Sequence, residues 1–308
     1  MTSQPARAPG DPREALSRLF DVRDRVVLVT GGASGLGLAI SSALAGCGAT
    51  VVVADRDEEA LVDTGLAGPG LAGPGLAGSG LAEHAVVDVS DPAAVTALVE
   101  GIVARHGRLD AAFANAGIAR GRGPDHAEGQ IDEFSLADWH ELLGVNLHGV
   151  LHTVRAAAAP MKRQRGGSIV VTASTAGLRQ DPFVSYPYVV AKAGVVNLVR
   201  QAALDLARWQ VRVNAIAPGP FRTNIGGKGP LPAAAQARWN ATVPLGRMGD
   251  PAEIAGLALL LASGASSFMT GGVYLVDGGQ MLQSLPLPEP SARTPSGENV
   301  AGESLPAQ

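Results

Sequence analysis

Short stretches dominated by apolar residues recur along the chain, at 26–29, 50–54, 84–87, 109–114, 168–172, 211–215 and 273–276, the first of them apolar at every position. Between them lie longer segments whose apolar residues return at helical spacing. A run with no polar alternation suits a strand covered on both faces, as in a parallel sheet. The periodic segments predict helices over 38–47, 57–62, 92–106 and 251–262. They also predict one helix carrying Trp139 and Asn146, a separate one ending at Met161, and one from Tyr188 to about Trp209. Strands alternating with helices predict an α/β protein. The expected architecture is a single-domain Rossmann fold over 20–285, a doubly wound seven-stranded parallel sheet with helices on both faces.

Three stretches fall outside that rhythm. Residues 1–19 read as a flexible arm with a short helix near 12–20, and 286–308 as a disordered Pro/Ser/Glu-rich tail. Residues 65–82 repeat Gly-Leu-Ala-Gly-Pro and its variants, too rich in glycine and proline to continue a helix. They read as a mobile surface insertion. The Gly-, Pro- and Ala-rich segment 224–244 reads as a lid over a substrate site.

Composition narrows the function classes. Of 308 residues, 46% are apolar and 17% charged, enough for a large core. A net charge of −4 without a basic block gives no footprint for nucleic acid or an anionic membrane. No uninterrupted apolar run is long enough to span a bilayer, and the polar N-terminus does not read as a secretory signal, so a soluble cytoplasmic protein is expected. The single cysteine, Cys47, excludes an intrachain disulfide and reads as a small buried hydrophobe. His148 and His152 lie four apart on a predicted helix, but no third ligand is placed near them, so no metal site is expected.

The candidate chemistry collects at strand ends. The first strand runs into Thr30-Gly-Gly-Ala-Ser-Gly-Leu-Gly37, then a helix, then a strand ending on Asp55. Glycines let backbone approach a pyrophosphate, and the N–H groups at a helix start meet its charge. An acid at the end of the second strand suits the adenosine ribose hydroxyls and repels a 2′-phosphate, which favours NAD over NADP. Further on, Ser174 precedes Tyr188-Val-Val-Ala-Lys192. Four residues apart on a helix, Tyr188 and Lys192 share a face. A cation beside a phenol favours the phenolate and lowers its pKa from about 10. Thr175 competes with Ser174 as the hydroxyl that holds the reacting oxygen, and Tyr186 is a rival phenol with no cation at i+4.

Taken together, Thr30–Gly37, Asp88-Val89, Asn115-Ala-Gly117, Val145-Asn146-Leu147, Ser174, Tyr188-Val-Val-Ala-Lys192, Asn214-Ala-Ile-Ala-Pro-Gly219 and Asp277-Gly-Gly279 make the chain resemble the short-chain dehydrogenase/reductase family, in its NAD-dependent classical form. The resemblance implies a catalytic tetrad of Asn146, Ser174, Tyr188 and Lys192. Ser174 would polarise the substrate oxygen and Tyr188 act as acid/base. Lys192 would hold the nicotinamide ribose and lower the Tyr188 pKa, and Asn146 would support a proton-relaying water. It further implies cofactor contacts from Gly31, Ser34, Gly35, Leu36, Gly37, Asp55, Asp88, Val89, Asn115, Ala116, Gly117, Tyr188, Lys192, Pro218, Gly219, Phe221 and Thr223. The implied activity interconverts a secondary alcohol and its ketone, and the implied assembly is a homotetramer or homodimer. An NADPH-dependent 3-oxoacyl carrier-protein reductase and a non-catalytic NAD-binding scaffold or redox sensor are the alternatives. Phe183, Tyr186, Phe221 and Trp239 are candidates for an apolar substrate wall, and Arg179, Arg222 and Lys228 for an anion contact.

Overall fold

The computed structural model describes residues 12–66, 82–225, 229 and 231–282. The strands are β1 (Val26–Thr30), β2 (Thr50–Asp55), β3 (Ala82–Val86), β4 (Ala111–Ala114), β5 (Gly167–Thr172), β6 (Val211–Pro218) and β7 (Val273–Val276). They pair in parallel in the order β3-β2-β1-β4-β5-β6-β7. The order reverses between β1 and β4, and there the two connections leave in opposite directions and open a crevice at the carboxyl ends.

Why apolar residues dominate the central strands is visible in how they pack. Val26 and Leu28 of β1, with Val52, Ala112, Ile169 and Val213, point into one core layer. Val27 and Val29, with Val51, Val53, Phe113 and Val170, point into the other. Alternate residues of the central strands thus serve opposite faces, and both faces are covered. Each fully buried Val, Leu or Ile contributes roughly 1.5–3 kcal/mol, which outweighs the weak strand preference of the many alanines among them.

The helices are α1 (Pro12–Leu19), α2 (Gly35–Gly46), α3 (Glu58–Asp63), α4 (Pro92–His106), α5 (Leu136–Leu143), α6 (Val150–Gln164), α7 (Tyr186–Leu206), α8 (Ala233–Ala241) and α9 (Ala255–Ala262). Several starts are chemically marked. Asp91 accepts from the Ala93 and Ala94 N–H groups at the start of α4, and Asp57 from Ala60 at the start of α3. Before α9, Asp250 and Glu253 form a reciprocal capping box around a short 3-10 turn.

The structure departs from the sequence reading in three places. The helices expected as two around Asn146 are one continuous rod, in which α5 passes through a π turn, Gly144–Gly149, into α6. β3 begins at Ala82, the last residue assigned to the repeat, because Ala82 pairs with Val51 and is buried. Cys47 is exposed, since it caps the end of α2 after the last buried turn. Most of the repeat, the arm before Pro12 and the C-terminal tail fall outside the described residues. Among the described residues no helix is long and apolar enough to cross a membrane.

Candidate active site

The crevice is floored by the turn between β1 and α2. Gly37 lies against the carbonyl of Gly31, and a Cβ there would overlap that oxygen and crowd the Asn115 amide. Asn115 fastens the floor: Nδ2 donates to the Gly31 carbonyl at 3.0 Å, and Oδ1 accepts from the Thr172 hydroxyl at 2.9 Å. Ser34 stands at the N-cap of α2 without capping it, and the first turn carries no acidic residue. The opening N–H groups of α2 are therefore without an acidic partner from that helix, in the position where a helix favours an anion. Leu36 is packed against the core beneath the turn.

Asp55 closes one side. Its Oδ2 accepts from the Ala33 N–H and its Oδ1 from the Asp57 N–H, both at 3.2 Å, so the carboxylate is held at the rim of the glycine turn. Asp88 is exposed just beyond β3; bonds from the Ser90 hydroxyl and N–H hold its carboxyl below the usual value, with a smaller contribution from nearby Arg56. The Val89 side chain is buried with Val95 and Val145, which leaves only its backbone for a ligand. Ala116 packs against Gly31, and Gly117 lies near the Asn146 amide. On the far side, β6 ends on Pro218; Gly219 lies against Asp277, and Thr223 stands over Gly35. Phe221 is not free to line the crevice, because its ring packs against Gly249 and the core.

Deeper in the crevice, Ser174 caps a single 3-10 turn, Thr175–Gly177, its Oγ accepting from the Ala176 N–H at 3.1 Å. That turn packs against the backbone of α7 at Lys192, and a Cβ on Gly177 would collide with it. Tyr188 lies in the first turn of α7, where the helix end favours negative charge. Its hydroxyl faces Ser174, whose hydroxyl acts to lower its pKa. Thr175 instead donates its hydroxyl proton to Gln280 Oε1 at 2.9 Å and is buried. Tyr186 stacks on Phe134 with ring centroids 5.5 Å apart, which makes it a packing residue.

Lys192 is 2% exposed. Its Nζ donates to the Thr172 carbonyl at 2.7 Å and lies 5.7 Å from the Tyr188 ring centroid. Burial pushes its pKa down to about 8. The Tyr188 pKa runs against the sequence expectation: burial raises it, and the group that pulls it back is Ser174, not Lys192. The ammonium is committed to the Thr172 carbonyl, and the penalty for a buried phenolate dominates.

Lys192 leaves a signature in stability. Its folded pKa of about 8 lies below the ordinary 10.5. Between those values the unfolded chain binds more protons than the native one at this side chain, so stability rises with pH across that window. Urea unfolding at pH 7 and pH 9.5 should show the parent gaining on Lys192→Met by roughly 1–3 kcal/mol as pH rises. A constant difference between the two proteins would contradict the buried, depressed lysine.

Asn146 is fully buried in the π turn, and its amide clamps Ile118: Oδ1 accepts from the Ile118 N–H and Nδ2 donates to the Ile118 carbonyl, both at 2.8 Å. The side chain fixes the loop after β4, and the backbone of the π turn is what remains for other duties.

The segment expected as a lid contributes α8. Trp239 meets the Phe183 ring edge-on at 5.5 Å, and the Arg238 guanidinium carbon lies 4.3 Å from the Phe183 ring centroid while pairing with Asp125 at 2.6 Å. The other charged candidates are occupied as well: Arg179 pairs with Asp181 at 3.5 Å, and Arg222 with Asp250 at 2.9 Å. Lys228 lies outside the described residues. His152 Nδ1 is 2.9 Å from the Val89 carbonyl, and His148 is exposed. Three residues the sequence did not single out complete the site: Thr172, which tethers Lys192, Thr30, whose hydroxyl accepts from the Asn115 N–H, and Gln280. Gln280 directly follows the Asp277-Gly-Gly279 motif, which was the only signal near it.

Comparison with known proteins places this geometry. A family model described as enoyl-(acyl carrier protein) reductase matches residues 31–281. The 3-oxoacyl-[acyl-carrier-protein] reductase of Thermotoga maritima is 35% identical over 263 residues, covering 84% of this chain and 98% of that protein. Cyclohexanol dehydrogenase of a Rhodococcus species is 38% identical over 265 residues, covering 84% and 96%. The crystal structure of a short-chain type dehydrogenase/reductase from Mycobacterium marinum superposes with a TM-score of 0.77 at 36% identity, covering 87% of this chain and 99% of that one.

Proposed function

Since the chain belongs to the classical short-chain dehydrogenase/reductase family, we propose that it is an NAD-dependent dehydrogenase interconverting a neutral secondary alcohol and its ketone, with Tyr188 as acid/base. The observation that carries this reading is the approach of Ser174 to the Tyr188 hydroxyl, with buried Lys192 beside the ring, at the carboxyl edge of the sheet next to the glycine turn.

The crevice fits a dinucleotide. The start of α2 offers N–H groups without acidic company, and the crowding at Gly37 shows that the turn tolerates no side chain at that point. The turn Gly31, Ser34, Gly35, Leu36 and Gly37 would hold the pyrophosphate, and Asp55 the adenosine ribose. Asp88, the Val89 backbone and Asn115–Gly117 would border the adenosine. Lys192 and Tyr188 would meet the nicotinamide ribose, and Pro218, Gly219, Phe221 and Thr223 would border the carboxamide through backbone and hydroxyl. When bound, oxidised nicotinamide accepts the two electrons of the carbinol C–H bond and adds a positive charge beside Tyr188.

The chain's own residues handle the proton. In alcohol oxidation Tyr188, once its own phenol proton has left by the proton relay, takes the hydroxyl proton, and Ser174 donates to the substrate oxygen while Ala176 N–H holds its Oγ in place. The first turn of α7 favours that phenolate, and the charge of a bound oxidised nicotinamide would offset the burial that raises its pKa. The Ser174 hydroxyl acts rather than that of Thr175, whose proton is spent on Gln280. With its side chain committed to Ile118, Asn146 serves a proton-relaying water through its backbone. Assembly into a homotetramer or homodimer belongs to the same proposal; exposed Phe268 and Leu275, the latter on edge strand β7, support it.

The Thermotoga relative favours a second reading, a 3-oxoacyl carrier-protein reductase. Against it, Arg179, Arg222 and Arg238 are each already paired with a carboxylate, and the lid offers the aromatic pair Phe183–Trp239. A panel of alicyclic secondary alcohols with NAD, run beside a 3-oxoacyl thioester with NADPH, separates the two. Alcohol-dependent NADH formation exceeding the thioester rate is expected; the reverse ranking would replace the first reading with the second.

A further inference from the structure

Gln280 sits at the junction of three segments that are remote in sequence, and it is 1% exposed. Its Oε1 accepts from the Thr175 hydroxyl at 2.9 Å. Its Nε2 donates to the Thr242 hydroxyl at 3.2 Å, and that hydroxyl in turn donates to the Trp239 carbonyl at 2.8 Å, at the end of α8. Its own carbonyl accepts from Arg179 Nη1 at 3.1 Å. The 3-10 turn that carries it (Gln280–Leu282) is held by Asp277, whose carboxylate accepts from the N–H groups of Gly279 and Met281.

The direction of these bonds matters. A hydroxyl has one proton to give. Thr175 gives its proton to Gln280, and Thr242 gives its proton to the Trp239 carbonyl. An amide, with an acceptor at one end and donors at the other, completes a chain of that polarity. One consequence falls on the catalytic turn: with Thr175 held away, Ser174 is the hydroxyl left facing Tyr188. The other falls on the lid, since the end of α8 and the Ser174–Gly177 turn are tied through one buried side chain.

We infer that Gln280 is a positioning residue that couples the seating of the lid helix to the orientation of the Ser174 hydroxyl. It touches neither substrate nor cofactor and acts through Thr175 and Thr242. This inference rests on the proposed dehydrogenase reading for its kinetic consequence, whereas the mechanical coupling stands independently.

The test uses the full chain and three variants. Gln280→Leu keeps the volume and removes both bonds, Thr175→Val removes the hydroxyl that Gln280 restrains, and the double variant combines them. In hydrogen-exchange mass spectrometry, Gln280→Leu should speed exchange in both the 174–178 turn and the 239–243 end of the lid helix, while β1 and β4 stay unchanged. With the best alcohol of the panel, kcat should fall about tenfold in Gln280→Leu with the KM for NAD unaltered, because a buried Thr175 hydroxyl is left without its partner. The double variant should turn over no more slowly than Gln280→Leu alone, because one substitution has already removed what the other acts through. Faster exchange in only one of the two segments, or additive losses in the double variant, would make Gln280 an ordinary core residue and overturn the inference. If the parent oxidises no alcohol, the dehydrogenase reading fails by itself, and the exchange pattern still decides the coupling. Should Gln280→Leu fail to fold, Thr242→Val tests the same link from the lid side: faster exchange at 174–178 is expected, and an unchanged turn would refute the coupling.

Discussion

Replacing Tyr188 with phenylalanine is expected to lower kcat by about 10³-fold, within the range a positioned acid/base contributes. The substitution removes one oxygen. Ser174 keeps the Ala176 N–H that orients it, and Lys192 keeps the Thr172 carbonyl and a ring face at the same distance. The glycine turn and Asp55 are untouched, so NADH binding followed by fluorescence titration should match the parent within about twofold, a change small on the affinity scale. Stability should change by about 1 kcal/mol or less, the net worth of one hydrogen bond. A loss confined to turnover, with binding and stability intact, is the mark of a group that acts on the reacting atoms. Turnover within about tenfold of the parent would remove Tyr188 from the acid/base role, since Tyr186 is held in a stack with Phe134 and has no lysine beside it.

The second large effect concerns the cofactor. Asp55→Asn keeps an oxygen for the Ala33 or Asp57 N–H but removes the charge. Two like charges about 4 Å apart repel by about 4 kcal/mol at an effective dielectric of 20, and solvent at this half-exposed rim reduces that figure. The ratio of kcat/KM for NADPH to that for NADH should therefore rise by about 10- to 100-fold in Asp55→Asn. Arg56 adds to the change. It is exposed and close enough to depress the Asp88 pKa, so it is placed to meet a 2′-phosphate once the neighbouring carboxylate is gone. Initial rates with both cofactors, in parent and variant, decide the matter. A parent that already prefers NADPH, or a ratio that Asp55→Asn leaves unchanged, would sink the assignment of Asp55 as the selecting residue.

Much of the architecture was legible because the strands are buried on both faces. A run such as Val26–Thr30 has no amphipathic alternative, and the glycine turn and Asp55 follow from the strand that precedes them. The pairing of Tyr188 with Lys192 was legible too, since a spacing of four on a helix fixes the shared face. Other features depend on contacts that no local pattern encodes. Thr175 and Gln280 are 105 residues apart in the chain, so the sequence left Ser174 and Thr175 as rivals that the fold separates. The sequence marked Asn146 but not the bonds its amide makes to the Ile118 N–H and carbonyl, which join the π turn to the loop after β4. The direction of the Tyr188 pKa shift was misread for a physical reason. The lysine was visible in the sequence, but the burial that raises the Tyr188 pKa was not.

The lid shows the same limit. Phe183 and Trp239 were both candidates for the pocket wall, and their contact across two segments follows only from the fold. Phe221, which looked equivalent, is half-buried, with its ring packed against Gly249 and the core. The carboxylate partners of Arg179 and Arg222, Asp181 and Asp250, likewise came into view only with the fold.

The proposed chemistry is tested most directly by following the hydrogen itself. The alicyclic alcohols of the panel, deuterated at the carbinol carbon, are incubated with the purified protein and NAD, and the products are read by mass spectrometry. The proposed reaction moves one deuterium from each oxidised alcohol into the reduced cofactor and none into water, with ketone and NADH formed in equal amounts. Ketone formed without deuterium in the cofactor, or no ketone from any member of the panel, would contradict it.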